Sequence, residues 1–236
     1  LNKKFSNFKF DGIAFDSNEV KKNYIFFAIK GNNIDGNKFI KDAIKNGSKI
    51  IITDDVKEGY KNNILYLKNN NPRKVLSEFA TKLNYQRPNN LIAVTGTNGK
   101  SSIADFFFQI LNLNLKKAAS IGTIGVRYKG KIKTLTNTTL DPIQLSSILK
   151  DLRKKKIEYV IMEASSHGLK QNRLDGLLFD ISIFTNLSHD HLDYHKNIKN
   201  YLNSKLYLFD KLTKKKGHII TDANISQSKK LKNISI

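Results

Sequence analysis

The sequence predicts an α/β protein in two parts. Residues 1–88 are expected to form a small N-terminal α/β domain, and residues 89–236 a mostly parallel, incomplete sheet flanked by helices. Three observations predict this. Short apolar runs such as "YIFF", "LIAV", "YVIME" and "ISIF" have the length of buried strands. Amphipathic segments of helical period separate them, and strands joined through helices pair in parallel with right-handed crossovers. A polar stretch with a proline, "NYQRPNN" at Asn84–Asn90, divides two composition regimes and reads as a linker.

Taken in chain order, "YIFFAIKG" and "KIIIT" are strands around a helix over Asn37–Asn46. That helix puts Phe39, Ile40, Ala43 and Ile44 on one face and stops at Gly47. A second helix follows Pro72 and carries Val75, Leu76, Phe79, Ala80 and Leu83. Beyond the linker, "LIAV" is a strand and Lys100–Leu115 a helix. "RYKGKIKTL", with Gly130 in the middle, reads as a hairpin outside the main sheet. "LDPIQLSSILKDLRKK" is a helix with Asp141 at its N-cap and Pro142 in its first turn. "YVIME" and "ISIFTN" are buried strands, "GHIITDA" is one more, and no internal repeat is visible.

Composition excludes several function classes. A 39% hydrophobic content with three prolines fits a globular chain, and the absence of cysteine removes disulfides and thiolate metal sites. No apolar run approaches the roughly 20 residues of a membrane span, and no signal-peptide pattern is present, so a cytoplasmic protein without a membrane partner is expected. The formal charge of +21 invites a nucleic-acid reading, but the lysines are spread over every segment. Runs such as Lys154–Lys156 and Lys214–Lys216 read as solvated helix ends, and no nucleic-acid partner is expected. A basic nucleic-acid-binding module is the alternative from another class. Because the chain starts at Leu1 and stops on "LKNISI" without capping logic, a fragment is expected.

The segment "LIAVTGTNGKSS" carries the chemistry. The standard phosphate-loop pattern fails, because Val94 stands where its first glycine belongs. Gly96 instead opens a shortened loop between an apolar strand and a helix, the P-loop-type geometry that aims helix N–H groups at a phosphate. Gly96 and Gly99 permit a tight backbone, Lys100 neutralises phosphate oxygens, and Ser101 can bind Mg²⁺.

In open α/β sheets ligands gather beyond the carboxyl ends of strands, and two further ends here are polar. Glu163 closes "YVIME"; beside a phosphate loop it is a candidate Mg²⁺ ligand, its alternative being a helix-capping carboxylate. "TNLSHDHLDYH" crowds His189, Asp190, His191, Asp193 and His195 into seven positions. A two-zinc hydrolase pattern misses by one residue, Tyr194, and a serine hydrolase from Ser166 and His167 lacks the G-x-S-x-G elbow. Lys205 shares a helical stripe with Tyr201, Leu208 and Leu212. It either snorkels from an apolar face or, partly buried, loses its proton and takes up carbon dioxide as a carbamate.

These motifs resemble the Mur ligase family, in its MurE type, over nearly the whole chain. The resemblance rests on "FDSNEVKKNYIFFAIKGNNIDGNKFIKDAIKNGSKIII", "AVTGTNGKSS", "TIGV", "NTTLDP", "MEASSHGLKQNRLDGLLFD" and "FTNLSHDHLDYHKNIKNYLNSKLYLF". Another Mur-type ligase such as folylpolyglutamate synthase is the alternative within the resemblance; those enzymes share the loop, typically as "GTNGKGS", without the first and last segments. The resemblance implies an ATP-dependent ligase that activates UDP-N-acetylmuramoyl-L-alanyl-D-glutamate as an acyl phosphate. A diamino acid, meso-diaminopimelate or L-lysine, then attacks it in peptidoglycan synthesis.

It implies a UDP-substrate-binding first domain, an ATP-binding central domain and a third, amino-acid-binding domain to which no residues here correspond, so this polypeptide alone is not expected to turn over. It also implies that Gly96, Thr97, Asn98, Gly99, Lys100, Ser101 and Ser102 hold ATP, with Lys100, Glu163, His191 and Lys205 catalytic. Ser101, Glu163, His191 and Lys205, as N6-carboxylysine, would be the Mg²⁺ site. Ser17 would contact uridine, and Asn137, Thr138, Thr139, Ser165, Gln171 and Arg173 the muramoyl peptide and its phosphates. Asn18 departs from the family's Asp-Ser-Arg.

Overall fold

A computed structural model describes residues 9–31, 34–135 and 137–234. The chain divides into two compact units between Ala80 and Thr81. The first holds a five-stranded sheet. Strands β1 (Gly12–Ala14), β2 (Tyr24–Phe27), β3 (Ile50–Thr53) and β5 (Ile64–Lys68) pair in parallel in that order, and β4 (Gly59–Lys61) lies antiparallel on β5. Phe26, Ile51 and Ala43 of helix α1 (Ile40–Lys45) are fully buried together. The helix expected over Asn37–Asn46 starts as a 3-10 turn, Gly36–Phe39, because the Asp35 carboxylate accepts from Asn37 N–H at 3.0 Å and caps it tightly. Helix α2 (Pro72–Leu83) begins at the expected proline.

The second unit holds a seven-stranded sheet. Its order is β12 (Thr213–Thr221), β11 (Phe179–Phe184), β6 (Asn90–Thr95), β10 (Tyr159–Glu163), β7 (Ala118–Gly122), β8 (Gly125–Tyr128) and β9 (Lys131–Lys133). The first five pair in parallel. The β8–β9 hairpin is not outside the sheet: β8 pairs antiparallel with β7 and extends it. Lys214–Lys216 lie exposed on β12 rather than at a helix end, whereas Lys154 does end helix α4 (Pro142–Lys154).

Alternation along β6 explains the layers. Ile92 and Val94 face Ala104 of helix α3 (Lys100–Leu113), while Leu91 and Ala93 join Leu145, Leu149 and Leu152 of α4 on the other side. Asp141 caps α4 as the sequence predicts, accepting from Ile143 and Gln144 N–H, each at 3.0 Å. Helix α5 (Ser166–Lys170) follows β10, and the short α6 (Leu192–His195) and α7 (Ile198–Tyr207) follow β11. A π-helical turn, Leu208–Leu212, then leads into β12, and α8 (Ser228–Ile234) follows it. The adjacent central strands β10, β6 and β11 therefore end side by side, and their following segments meet at one sheet edge.

Candidate active site

At that edge lies a cleft of ≈ 390 Å³. Its walls include the Gly96–Ser102 loop, Glu163, Thr138, Ser165, His191 and Lys205, so the three strand ends singled out in the sequence converge. The loop is strapped from beneath by the segment after β11. Thr97 N–H donates to the Asn186 carbonyl at 3.0 Å, Asn98 N–H to Asn186 Oδ1 at 2.9 Å, and the Thr185 hydroxyl to the Asn98 carbonyl at 2.6 Å. Gly96 is required there, since a Cβ would sit 1.8 Å from Thr185 Oγ1. Gly99 takes φ 82° at the N-cap of α3, leaving the helix N–H groups without a capping side chain.

Lys100 folds back over the loop, its Nζ donating to the carbonyls of Gly96 (3.0 Å) and Thr97 (2.8 Å). Burial lowers its pKa, and the Glu163 charge works against that shift. Glu163 is 3% exposed and accepts from Ser101 Oγ (2.9 Å) and Thr123 N–H (2.9 Å). It does not cap α5. Ser165 does, accepting from Gly168 N–H at 3.1 Å, which leaves the carboxylate to the cleft.

Lys205 does not snorkel. It is 1% exposed, its Nζ donates to the Gly96 carbonyl at 2.6 Å, and it lies 4.3 Å from the Tyr201 ring centroid. Burial first, and the Lys100 charge second, lower its pKa to about 7. His191 adopts φ 51° at the N-terminus of α6, with Nε2 3.4 Å from Asp190. Its ring meets His167 edge-on at 4.8 Å. His195 is buried behind it, and desolvation pulls its pKa down to about 4.

Thr139, Gln171 and Arg173 form a connected group beside the cleft. Arg173 donates to the Thr139 carbonyl (2.6 Å) and from Nε and Nη2 to Gln171 Oε1. Thr139 Oγ1 lies 3.0 Å from both the Glu163 carbonyl and Ser165 Oγ. Asn137 is exposed on the same segment as Thr138. Ser17 belongs to the first unit, buried in a 3-10 turn capped by Asp16, with its carbonyl accepting from Asn46 Nδ2 at 2.9 Å. Sequence reasoning missed Thr123 and gave Tyr201 no role at the site. Tyr201 Oη sits 3.2 Å from Thr97 Oγ1 and ties α7 to the loop; its position four residues before Lys205 was the available signal.

A family model described as the Mur ligase middle domain matches residues 94–235, and one described as the Mur ligase family, catalytic domain, matches 9–83. The chain belongs to the Mur ligase family. Among its relatives is the UDP-N-acetylmuramoyl-L-alanyl-D-glutamate--2,6-diaminopimelate ligase of Rickettsia typhi, 41% identical over 96% of this chain and 46% of that protein. A solved structure of a ligase of the same name superposes with a TM-score of 0.81 at 29% identity, over 96% of this chain and 46% of the other. The fold also matches MurF ligase from Thermotoga maritima, solved in complex with ADP, with a TM-score of 0.56 at 18% identity over 94% and 47% of the two chains. This Mur ligase chain spans about half the length of the curated relatives it matches. Among the described residues, no helix is long and apolar enough to cross a membrane.

Proposed function

We propose that this chain supplies the UDP-substrate-binding domain (1–88) and the ATP-binding domain (89–236) of an ADP-forming amide ligase of peptidoglycan synthesis. Its acid substrate is UDP-N-acetylmuramoyl-L-alanyl-D-glutamate, and the amine is a diamino acid. The names of the relatives favour 2,6-diaminopimelate over L-lysine. The observation that carries the reading is the meeting of the Gly96–Ser102 loop, Glu163, His191 and Lys205 in one cleft.

The reaction needs a poor electrophile made good. A carboxylate oxygen leaves only once it is phosphorylated, after which the amine displaces phosphate and forms the amide. The N-terminus of α3 and Lys100 bind the triphosphate and hold its charge where it develops. Thr138, Thr139, Ser165, Gln171 and Arg173 orient the acid substrate, with Asn137 on the same segment and Ser17 holding its uridine end. His195, kept neutral, adds no charge beneath the cleft.

The donor set fits Mg²⁺. Among the described residues no group of three or more His, Asp or Glu side chains converges on one point. Mg²⁺ is usually held by one or two carboxylates, water and substrate phosphates. Glu163, Ser101 and His191 offer such a sparse set, and Lys205 as a carbamate adds a second carboxylate. Mg²⁺ supplies charge neutralisation for the transferring phosphoryl group. The depressed pKa and burial of Lys205 support the carbamate, since a neutral amine is the form that adds carbon dioxide.

The test is phosphate release by the full-length protein. Release that requires ATP, Mg²⁺, the UDP-muramoyl dipeptide and 2,6-diaminopimelate together is expected. Release independent of the dipeptide refutes the reading.

A further inference from the structure

The segment after β7 holds Glu163 in place. A Cβ on Gly122 would stand 2.1 Å from Glu163 Oε1, so the missing side chain leaves room for the carboxylate. Thr123 takes up both oxygens. Its N–H donates to Oε1 at 2.9 Å, and its Oγ1 lies 3.3 Å from Oε2. The same Oγ1 lies 3.1 Å from Thr138 Oγ1. Glu163 also accepts from Ser101 of the phosphate loop, whereas Thr138 belongs to the segment assigned to the acid substrate.

Counting protons fixes the direction of this chain. A carboxylate only accepts, and a hydroxyl has one proton to donate. Thr123 gives its proton to Glu163, so Thr138 gives its own to Thr123. Thr138 Oγ1 then offers the cleft lone pairs and no proton.

We propose that Thr123 is a positioning residue that links the nucleotide side of the cleft to the acid-substrate side, and that it orients Thr138 as an acceptor. The ligand group facing Thr138 is then an N–H or O–H donor, a peptide amide or sugar hydroxyl, and not a phosphate oxygen. This inference rests on the ligase reading and goes beyond it by assigning Thr123 and the polarity of Thr138.

Calorimetric titration tests it without turnover. Mg²⁺ and ADP are titrated into the protein with and without UDP-N-acetylmuramoyl-L-alanyl-D-glutamate, for wild type, Thr123→Ser, Thr123→Val and Thr138→Val. In wild type each ligand is expected to change the affinity for the other by at least about fivefold, the lower end of ordinary coupling. Thr123→Ser restores the hydroxyl and keeps that coupling. Thr123→Val brings it below about twofold while both ligands still bind singly, whereas Thr138→Val, which removes the acceptor itself, also weakens the UDP-muramoyl dipeptide bound alone. Wild-type coupling in Thr123→Val, or no coupling in wild type with both ligands bound, overturns the relay and leaves the ligase reading standing. If wild type binds neither ligand, the ligase reading fails and the relay with it.

Discussion

Replacing Gly122 by alanine isolates the support of Glu163 in one atom. The added Cβ would lie 2.1 Å from Oε1, 2.5 Å from Cδ and 2.6 Å from Cγ, where real Cβ contacts essentially never fall below 3.0 Å. The buried end of the side chain must therefore retreat by about 0.9 Å, the difference between the 3.0 Å and 2.1 Å distances. The Thr123 N–H···Oε1 bond starts at 2.9 Å, and such a shift carries it beyond hydrogen-bonding range. A hydrogen bond to a charged group is worth about 1.5–3 kcal/mol. The carboxylate borders an open cleft and can recover part of that loss from water, which places the expected cost near the lower figure. Gly122→Ala should then weaken Mg²⁺-dependent ADP binding roughly tenfold, at 1.4 kcal/mol per decade. Metal-free ADP binding should fall by clearly less than that, because the added Cβ meets Glu163 and reaches the phosphate loop only through the Ser101 bond to that carboxylate. Titration calorimetry with and without Mg²⁺ reads both numbers. Equal loss in the two conditions, or no loss in either, refutes the assignment of Glu163 to the cation.

Other expectations follow from single contacts. Gly96→Ala drives a Cβ into Thr185 Oγ1 and should abolish ADP binding while leaving a folded protein by circular dichroism; retained affinity contradicts the strapped loop. Lys100→Ala should lower ADP affinity at least about tenfold through loss of phosphate charge neutralisation, as checked by the same titration. Asp141→Ala removes both cap bonds of α4 and should lower stability by about 1 kcal/mol in urea unfolding, with ADP affinity unchanged. For Lys205, the protonated form dominates below a pKa of about 7 and cannot add carbon dioxide. At fixed dissolved CO₂, the intact-mass increment of one CO₂ should fall as pH drops through 7 and be absent in Lys205→Arg; an increment that grows with acidity contradicts the assignment.

Local signals made much of this legible. The Gly96–Gly99 loop could be read because glycine spacing and the change from strand to helix period are local, and Asp141-Pro142 announced its helix start just as directly. The β8–β9 hairpin was misplaced because its pairing with β7 is non-local. "AASIG" itself, small and poor in branched side chains, gives no strand signature although all of β7 is buried. Lys205 was ambiguous for the same reason: the carbonyl that holds it lies 109 residues away, on Gly96. Thr123 opens the "TIGV" segment, but nothing local in the sequence points to Glu163 as its partner. Its contact with Glu163 arises because parallel pairing of β7 and β10 sets the end of one strand beside the end of the other.

The most direct measurement is a crystal structure of the protein grown with Mg²⁺, a non-hydrolysable ATP analogue and bicarbonate. The phosphates should lie on the N–H groups of Gly99–Ser102, a cation should sit against Glu163, and Lys205 should carry a carbamate facing it. Nucleotide bound away from the Gly96 loop, or a cation remote from Glu163 and Lys205, would contradict the single-cleft account.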